Sequence, residues 1–314
     1  MKKIHKDSSS NTIEDVMKKK LFIYILFSFF FIFQSVYAQN VIEIEPLFEY
    51  PTAPEELEAL DERCDYIVKH FWDNFDFKNK QTIDQYALNE AFQVYVSPMR
   101  YASKKEVDQS IDKLLNKISG NPSLLLQFTK AAEENLYGPR AEFWSDPLYL
   151  KFLDAVIKNK KLKENRKAKY ISQAQIIKES EAGNKAPSFH FSDKDGLSKT
   201  YFPMSTPTLL IFGNPDDTDW RLARLKMDSN MKLSDALEKG KLNIIYILPF
   251  SLENWPNLVS NYNSNWTIGN SPEASEHYDL RLNPSIYLIG SDGIIVNKFL
   301  SAEQSVEDIL ELIN

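Results

Sequence analysis

The spacing of apolar residues changes near residue 182, and that change limits the folds this chain can adopt. From Pro54 to about Glu181, apolar residues recur every three or four positions, as they do on one face of an α-helix. After Pro187 they form short runs or alternate with polar residues, as they do in β-strands. The sequence therefore predicts an α-helical N-terminal domain followed by an α/β domain whose mixed sheet is flanked by helices.

The first half shows helix starts as well as helical spacing. Pro54 suits the first turn of a helix, where the missing N–H costs nothing. Ser103 with Glu106, and Thr82 with Gln85, have the spacing of a capping box. The apolar face of the first helix comprises Leu57, Leu60, Cys64, Ile67, Val68, Phe71 and Phe75, and further helices are expected around 83–97, 103–118, 122–136, 145–158 and 162–180.

The sequence of the second half predicts strands joined by turns and helices. Two hairpins are expected, around the turns 193–196 and 291–293, because each turn contains an Asp-Gly or Ser-Asp-Gly sequence between apolar segments. Buried strands are predicted at 208–212 and 242–248, and helices at 217–228, at 251–262 and after Ser301.

The N-terminus has the order of a secretory signal peptide. Three lysines follow Met17, an apolar run extends from Leu21 to Phe33, and small residues end at Ala38. We expect cleavage after Ala38, an exported protein that is periplasmic or secreted, and no membrane attachment after cleavage. We expect translation to start at Met17 and not at Met1. The predicted organisation is a signal peptide with an extended leader at 1–38, a helical domain at 39–182 and an α/β domain at 183–314.

Charge and cysteine content exclude several functions. Without residues 1–38 the chain has 31 basic and 41 acidic residues, which is unsuited to binding nucleic acid. Cys64 is the only cysteine, so no intramolecular disulfide can form. It lies on an apolar helix face, and we expect its thiol to be buried. The histidines have no metal-ligand spacing, so neither a metal nor another cofactor is expected.

Four stretches of the second half occur in the order of a known family of domains. They are Ala186-Pro187-Ser188-Phe189-His190-Phe191 with Asp195-Gly196, Leu209-Leu210-Ile211-Phe212-Gly213-Asn214-Pro215-Asp216, Tyr278-Asp279-Leu280-Arg281-Leu282-Asn283-Pro284-Ser285-Ile286-Tyr287 and Ser291-Asp292-Gly293. Through them, residues 183–314 resemble a thioredoxin-like domain of the type found in exported bacterial thiol–disulfide proteins. The helical half resembles the domain that precedes such modules in exported Bacteroidetes-type proteins of unknown function.

The resemblance places a C-x-x-C motif directly after the Asn-Pro-Asp turn, and this chain has none there. The matching positions are Asp217 and Trp220. Thiol–disulfide exchange needs one thiolate to attack and a second thiol to resolve the mixed disulfide. A carboxylate and an indole can do neither, so the sequence excludes dithiol redox catalysis at this degenerate redox site, and no catalytic residue is predicted.

Asp216, Asp217 and Asp219 are interpreted as residues of a helix start. A carboxylate there caps free N–H groups and meets the positive end of the helix dipole. Two alternatives stay open: a divalent-cation site, and an acid–base site of an enzyme of another class.

The resemblance implies that Pro284 is a cis-proline and that the backbone of Asn283 lies beside a groove. In active relatives the backbone before this proline pairs with an extended substrate peptide. Two interpretations stay open: the groove serves as a peptide-binding edge, or the proline is purely structural. The predicted function is non-catalytic binding or scaffolding toward a peptide or protein partner. Two alternatives stay open. The protein is an enzyme or a metal-binding protein that uses the cluster Asp216, Asp217 and Asp219, or it is a member of a thiol–disulfide oxidoreductase system that depends on a partner.

Overall fold

The computed structural model describes residues 46–78, 83–203 and 205–313. Residues Leu47–Asn314 form one compact unit. The predicted signal peptide at 1–38, its cleavage site and the choice between Met1 and Met17 lie outside the described residues. None of the helices in the described ranges is both long and apolar enough to cross a membrane.

The N-terminal region is helical, as predicted. Its helices are α1 (Leu60–His70), α2 (Gln85–Val96), α3 (Lys104–Ile118), α4 (Pro122–Ala132), α5 (Asp146–Lys158) and α6 (Glu164–Glu179). A 3₁₀ turn, Ser97–Arg100, follows α2, and a π-helical turn, Glu133–Tyr137, follows α4. The apolar faces meet in one core that is rich in aromatic rings, including Phe71, Trp72, Phe92, Tyr95 and Phe128.

The ends of these helices agree only in part with the sequence predictions. Ser103 caps α3 by accepting a hydrogen bond from the Glu106 N–H, which confirms that cap. The predicted start at Pro54 is wrong, because α1 begins at Leu60. The guanidinium of Arg63 donates to the carbonyls of Pro54 (3.4 Å) and Leu57 and holds this segment as a turn.

Two further predictions in the helical region have clear outcomes. The cap of α2 is Asp84, which accepts from the Ala87 N–H at 2.9 Å, so the helix does not start from Thr82, which itself lies outside the described residues. The Cys64 side chain is buried, as its position on the apolar face of α1 predicted.

The C-terminal region contains a mixed sheet. Its strands are β1 (Phe189–Asp193), β2 (Ser198–Tyr201), β3 (Thr208–Phe212), β4 (Asn243–Leu248), β5 (Thr267–Asn270), β6 (Ser285–Ile289) and β7 (Ile295–Lys298), in the order β2-β1-β5-β4-β3-β6-β7. Strand β4 runs parallel to β3 and β5, and the other pairs are antiparallel. Both predicted hairpins form, and Gly196 and Gly293 in their turns have φ of 79° and 78°.

Helices cover one face of this sheet. They are α7 (Thr218–Asp228), α8 (Met231–Glu238), the single turn α9 (Trp255–Leu258) and α10 (Ala302–Leu312). One apolar cluster lies between them and the sheet, and a second cluster, containing Phe189, Phe212, Tyr278 and Tyr287, covers the opposite face. The boundary at 182 between two domains stays a prediction.

The helix predicted at 251–262 is wrong in length. Asn254 has a left-handed backbone with φ 58°, so a right-handed helix can begin only at Trp255. Val259, with φ −107° and ψ 11°, ends it after four residues. Strand β5 and helix α8 were not predicted.

Candidate functional site

The turn that follows β3 is tied to the loop that precedes β6. The N–H of Asn214 donates to the Asn283 side-chain oxygen at 3.0 Å. The side-chain oxygen of Asn214 in turn accepts from the Asp216 N–H at 3.0 Å. The backbone carbonyl of Asn214 accepts from the Asp217 N–H at 3.1 Å. The start of α7 and the segment before Pro284 are therefore fixed against each other.

Asp217 caps α7. Its carboxylate accepts a hydrogen bond from the Trp220 N–H at 2.8 Å, and its backbone is extended (φ −70°, ψ 132°), as at a helix N-cap. Asp216 and Asp219 are exposed. Within the described ranges, no group of three or more His, Cys, Asp or Glu residues is arranged to hold a metal ion.

Trp220 is part of the core beneath the turn. Its side chain is fully buried and stacks on Tyr246, with ring centroids 4.9 Å apart and planes 4° from parallel. The indole Nε1–H donates to the Tyr262 hydroxyl at 2.8 Å. Burial raises the pKa of both tyrosines above their ordinary value, so both are neutral phenols at physiological pH. The position that the resemblance assigns to the second thiol is thus filled by packed aromatic rings.

The peptide bond between Asn283 and Pro284 is cis, the isomer that the resemblance implies. Pro284 lies close to the turn after β3, since a Cβ placed on Gly213 would be 3.6 Å from the Pro284 Cβ and 3.3 Å from Tyr246 Cε2. Asn283 is exposed. In the part of the chain that the structure describes, no hydrogen bond engages its backbone N–H or carbonyl.

A groove of about 490 Å³ runs beside Pro284, between α7, the loop 282–284 and the segment 299–303. We call it the cis-proline groove. Its apolar lining is Leu222, Ala223, Leu282, Pro284, Phe299, Leu300 and Ala302. Asp219, Lys226 and Glu303 supply charge at its edge, where the Lys226 ammonium pairs with the Glu303 carboxylate.

The structure separates the predicted site residues into two groups. Asn283 and Pro284 line the groove, together with Asp219 from the aspartate cluster. Asp217 and Trp220 do not line it: they cap α7 and fill the core. Sequence reasoning missed Leu222 and Phe299. Leu222 lies off the buried stripe formed by Trp220, Arg224 and Met227, and an apolar residue in that position was the available signal.

Comparison with solved structures shows the fold. A thioredoxin-like protein from Bacteroides caccae superposes with a TM-score of 0.65 at 21% identity, over 84% of this chain and 98% of that one. A conserved protein of unknown function from Bacteroides fragilis (TM-score 0.39, 24% identity) covers 41% of this chain and 99% of its own. The thioredoxin domain of a thiol-disulfide oxidoreductase from Bacteroides vulgatus (TM-score 0.37, 18% identity) covers 43% of this chain and 99% of its own.

The first of these likenesses confirms a helical region joined to a thioredoxin-like region. A search of the curated proteins gave no significant match. A family model described as "Domain of unknown function (DUF5106)" matches residues 4–180, which is more than half of the chain. The chain therefore belongs to the DUF5106 family, and its thioredoxin-like region follows the part that the family model matches.

Proposed function

We propose that this protein is a non-catalytic binding protein that receives an extended peptide segment of a partner in the cis-proline groove. The observation that carries the proposal is Asn283, an exposed residue that lines the groove and whose backbone N–H and carbonyl make no hydrogen bond within the described residues. An extended peptide forms main-chain hydrogen bonds with such an edge and places alternate side chains in pockets.

The lining of the groove suits an apolar side chain. Leu222, Leu282 and Phe299 present hydrocarbon surface, and the volume of about 490 Å³ is that of a small ligand site. Because the predicted signal peptide directs export, binding would take place in the periplasm or outside the cell. Dithiol chemistry is not part of the proposal, since Cys64 is the only cysteine.

A peptide selection tests the proposal. Random peptides displayed on phage are selected on the purified chain, and enriched peptides are synthesised with a fluorophore and titrated by fluorescence anisotropy. Leu222 and Leu225 are both 55% exposed on α7, but only Leu222 lines the groove. We expect Leu222→Lys to weaken binding about tenfold or more, while Leu225→Lys leaves it unchanged.

Two results would contradict the proposal. One is a selection that enriches no peptide above the background of uncoated surface. The other is equal binding by the Leu222→Lys and Leu225→Lys variants, which would place the bound peptide elsewhere. An insulin-reduction assay with dithiothreitol serves as a separate check, and we expect no rate above background. Clear catalysis there would refute the non-catalytic assignment.

A further inference from the structure

Arg281 connects the loop before Pro284 to the helical region. Its side chain is only 4% exposed and lies two residues before Asn283. The guanidinium donates to the Asp146 carboxylate at 2.7 Å and to the Tyr137 carbonyl at 3.3 Å, and also to the Asp279 carboxylate. Asp146 opens α5 and Tyr137 ends the π-helical turn, so two elements of the helical region hold this one side chain.

The same guanidinium contacts a wall of the groove. It lies over the Tyr137 ring, 3.8 Å from the centroid, and over the Phe299 ring at 5.0 Å. Phe299 lines the cis-proline groove, and its φ of 61° is in the left-handed region that a bulky residue rarely adopts. Such a conformation persists only where the surroundings hold it. Trp144, from the helical region, packs edge-on against the same ring at 5.8 Å.

One carboxylate binds both segments that border the groove. Asp146 accepts from Arg281 through Oδ1 and from Lys298 Nζ through Oδ2 at 3.0 Å. Lys298 directly precedes Phe299. The three side chains are largely shielded from solvent, with exposures of 19% for Asp146, 4% for Arg281 and 13% for Lys298, so their attraction is screened less than that of a surface pair.

We infer that the helical region sets the shape of the cis-proline groove through Asp146 and Arg281, which act as positioning residues for the loop 282–284 and for Phe299. The groove is then a composite site that the thioredoxin-like region does not form alone. The role of this site in peptide binding rests on the proposed function above, whereas the positioning itself does not.

Amide hydrogen–deuterium exchange of the full chain tests the positioning without any ligand. Asp146→Asn is compared with Asp154→Asn, a matched change on α5 whose partners Lys158 and Lys178 both belong to the helical region. We expect Asp146→Asn to speed exchange about tenfold at the hydrogen-bonded amides of Arg281, Leu300 and Asn214, whose acceptors are Asp279, Ile286 and Asn283. Exchange in β3 and β4 should stay as in the wild type, and Asp154→Asn should alter none of these segments.

Two further variants keep the test decisive. If Asp146→Asn does not fold, Lys298→Met removes one of the two links and should speed exchange at the Leu300 amide more than at the Arg281 amide. Arg281→Lys keeps the charge but loses the several N–H donors of the guanidinium, and should give an intermediate exchange rate at the backbone amide of residue 281. Equal exchange in the Asp146→Asn and Asp154→Asn variants, or a rise spread evenly over the whole sheet, would overturn the inference.

Peptide binding provides a second test, which separates the inference from the proposed function. With a peptide from the selection, Asp146→Asn should weaken binding while Asp154→Asn does not. The expected exchange response with no peptide bound to the wild type would refute the proposed function and support the inference. Peptide binding by the wild type with no exchange response in Asp146→Asn would overturn the inference and leave the proposed function standing.

Discussion

Asp217 and Trp220 lie three residues apart in one helical turn, and their side chains have opposite surroundings. Asp217 is half-buried, and its carboxylate accepts a hydrogen bond from the Trp220 N–H. The Trp220 indole, in contrast, is enclosed by Tyr246, Tyr262 and Trp266. Of the two positions that the resemblance aligns with the motif, Asp217 therefore has its side chain at the surface. Trp220 is part of the packing between α7 and the sheet.

The capping role of Asp217 predicts an effect on stability that its neighbour lacks. Asp217→Ala leaves the Trp220 N–H without its acceptor, and we expect a loss of about 1 kcal/mol in the free energy of unfolding, measured with urea. Asp219→Ala removes an exposed carboxylate in the same turn and should cost clearly less. Equal losses would mean that charge near the helix dipole, and not the cap, is the source of the effect.

The enclosed position of Trp220 predicts that a C-x-x-C motif cannot be introduced at positions 217 to 220 without a large loss of stability. Trp220→Cys removes a stacked ring and the donor to the Tyr262 hydroxyl, and we expect a loss of about 3–5 kcal/mol in the free energy of unfolding. Asp217→Cys, at the other motif position, should cost only about 1 kcal/mol. Similar losses for the two variants in urea unfolding would show that the core tolerates a small residue at 220.

At the scale of elements, the pairing of β1 with β5 requires a residue without a side chain at position 269, which no local sequence pattern indicates. Gly269 in β5 pairs with Asp193 in β1, and a Cβ on Gly269 would lie 2.2 Å from Cδ2 of Phe191, also in β1. We expect Gly269→Ala to lower the unfolding free energy by about 1–3 kcal/mol, because the Phe191 ring must leave its packed position. Gly120→Ala is the control, since nothing lies within 4 Å of its added Cβ. A neutral Gly269→Ala in urea unfolding would contradict the packing.

Elements with local signals were predicted well, and those that depend on distant partners were not. Helix α3 has the cap Ser103 and a regular apolar face, and β3 is a fully buried apolar run, so sequence alone identified both. Strand β5 has four residues and includes Gly269, which disfavours strands in isolation. It forms because β1 and β4 lie on either side of it.

At the scale of the whole molecule, the groove could be predicted only in part. The resemblance indicated Asn283 and Pro284, which line it. It could not indicate that Asp146 supports the neighbouring loop, because Asp146 and Arg281 are 135 positions apart and no periodic pattern relates them. Ion pairs between residues so distant in the sequence can be identified only from the folded structure.

The Asp146 network predicts how the stability of the whole molecule depends on pH. Burial alone would raise the pKa of Asp146, but Arg281 and Lys298 outweigh it and hold the pKa below its ordinary value of 3.8. A carboxyl whose pKa is lowered by folding contributes stability above its unfolded pKa and loses it as pH falls through the folded pKa. The ionised Asp146 therefore stabilises the protein at pH 7, and this contribution declines below about pH 4.

Urea unfolding of the wild type and the Asp146→Asn variant at several pH values measures that contribution. At pH 7 we expect the variant to be less stable by about 1–3 kcal/mol, because two buried cations lose a charged acceptor. The difference should narrow as the pH falls below 4, since asparagine does not titrate. Asp154→Asn, whose side chain is 40% exposed, should differ little from the wild type at any pH. A difference for Asp146→Asn that persists unchanged through acid would show that the carboxylate stabilises the protein by its shape and not by its charge.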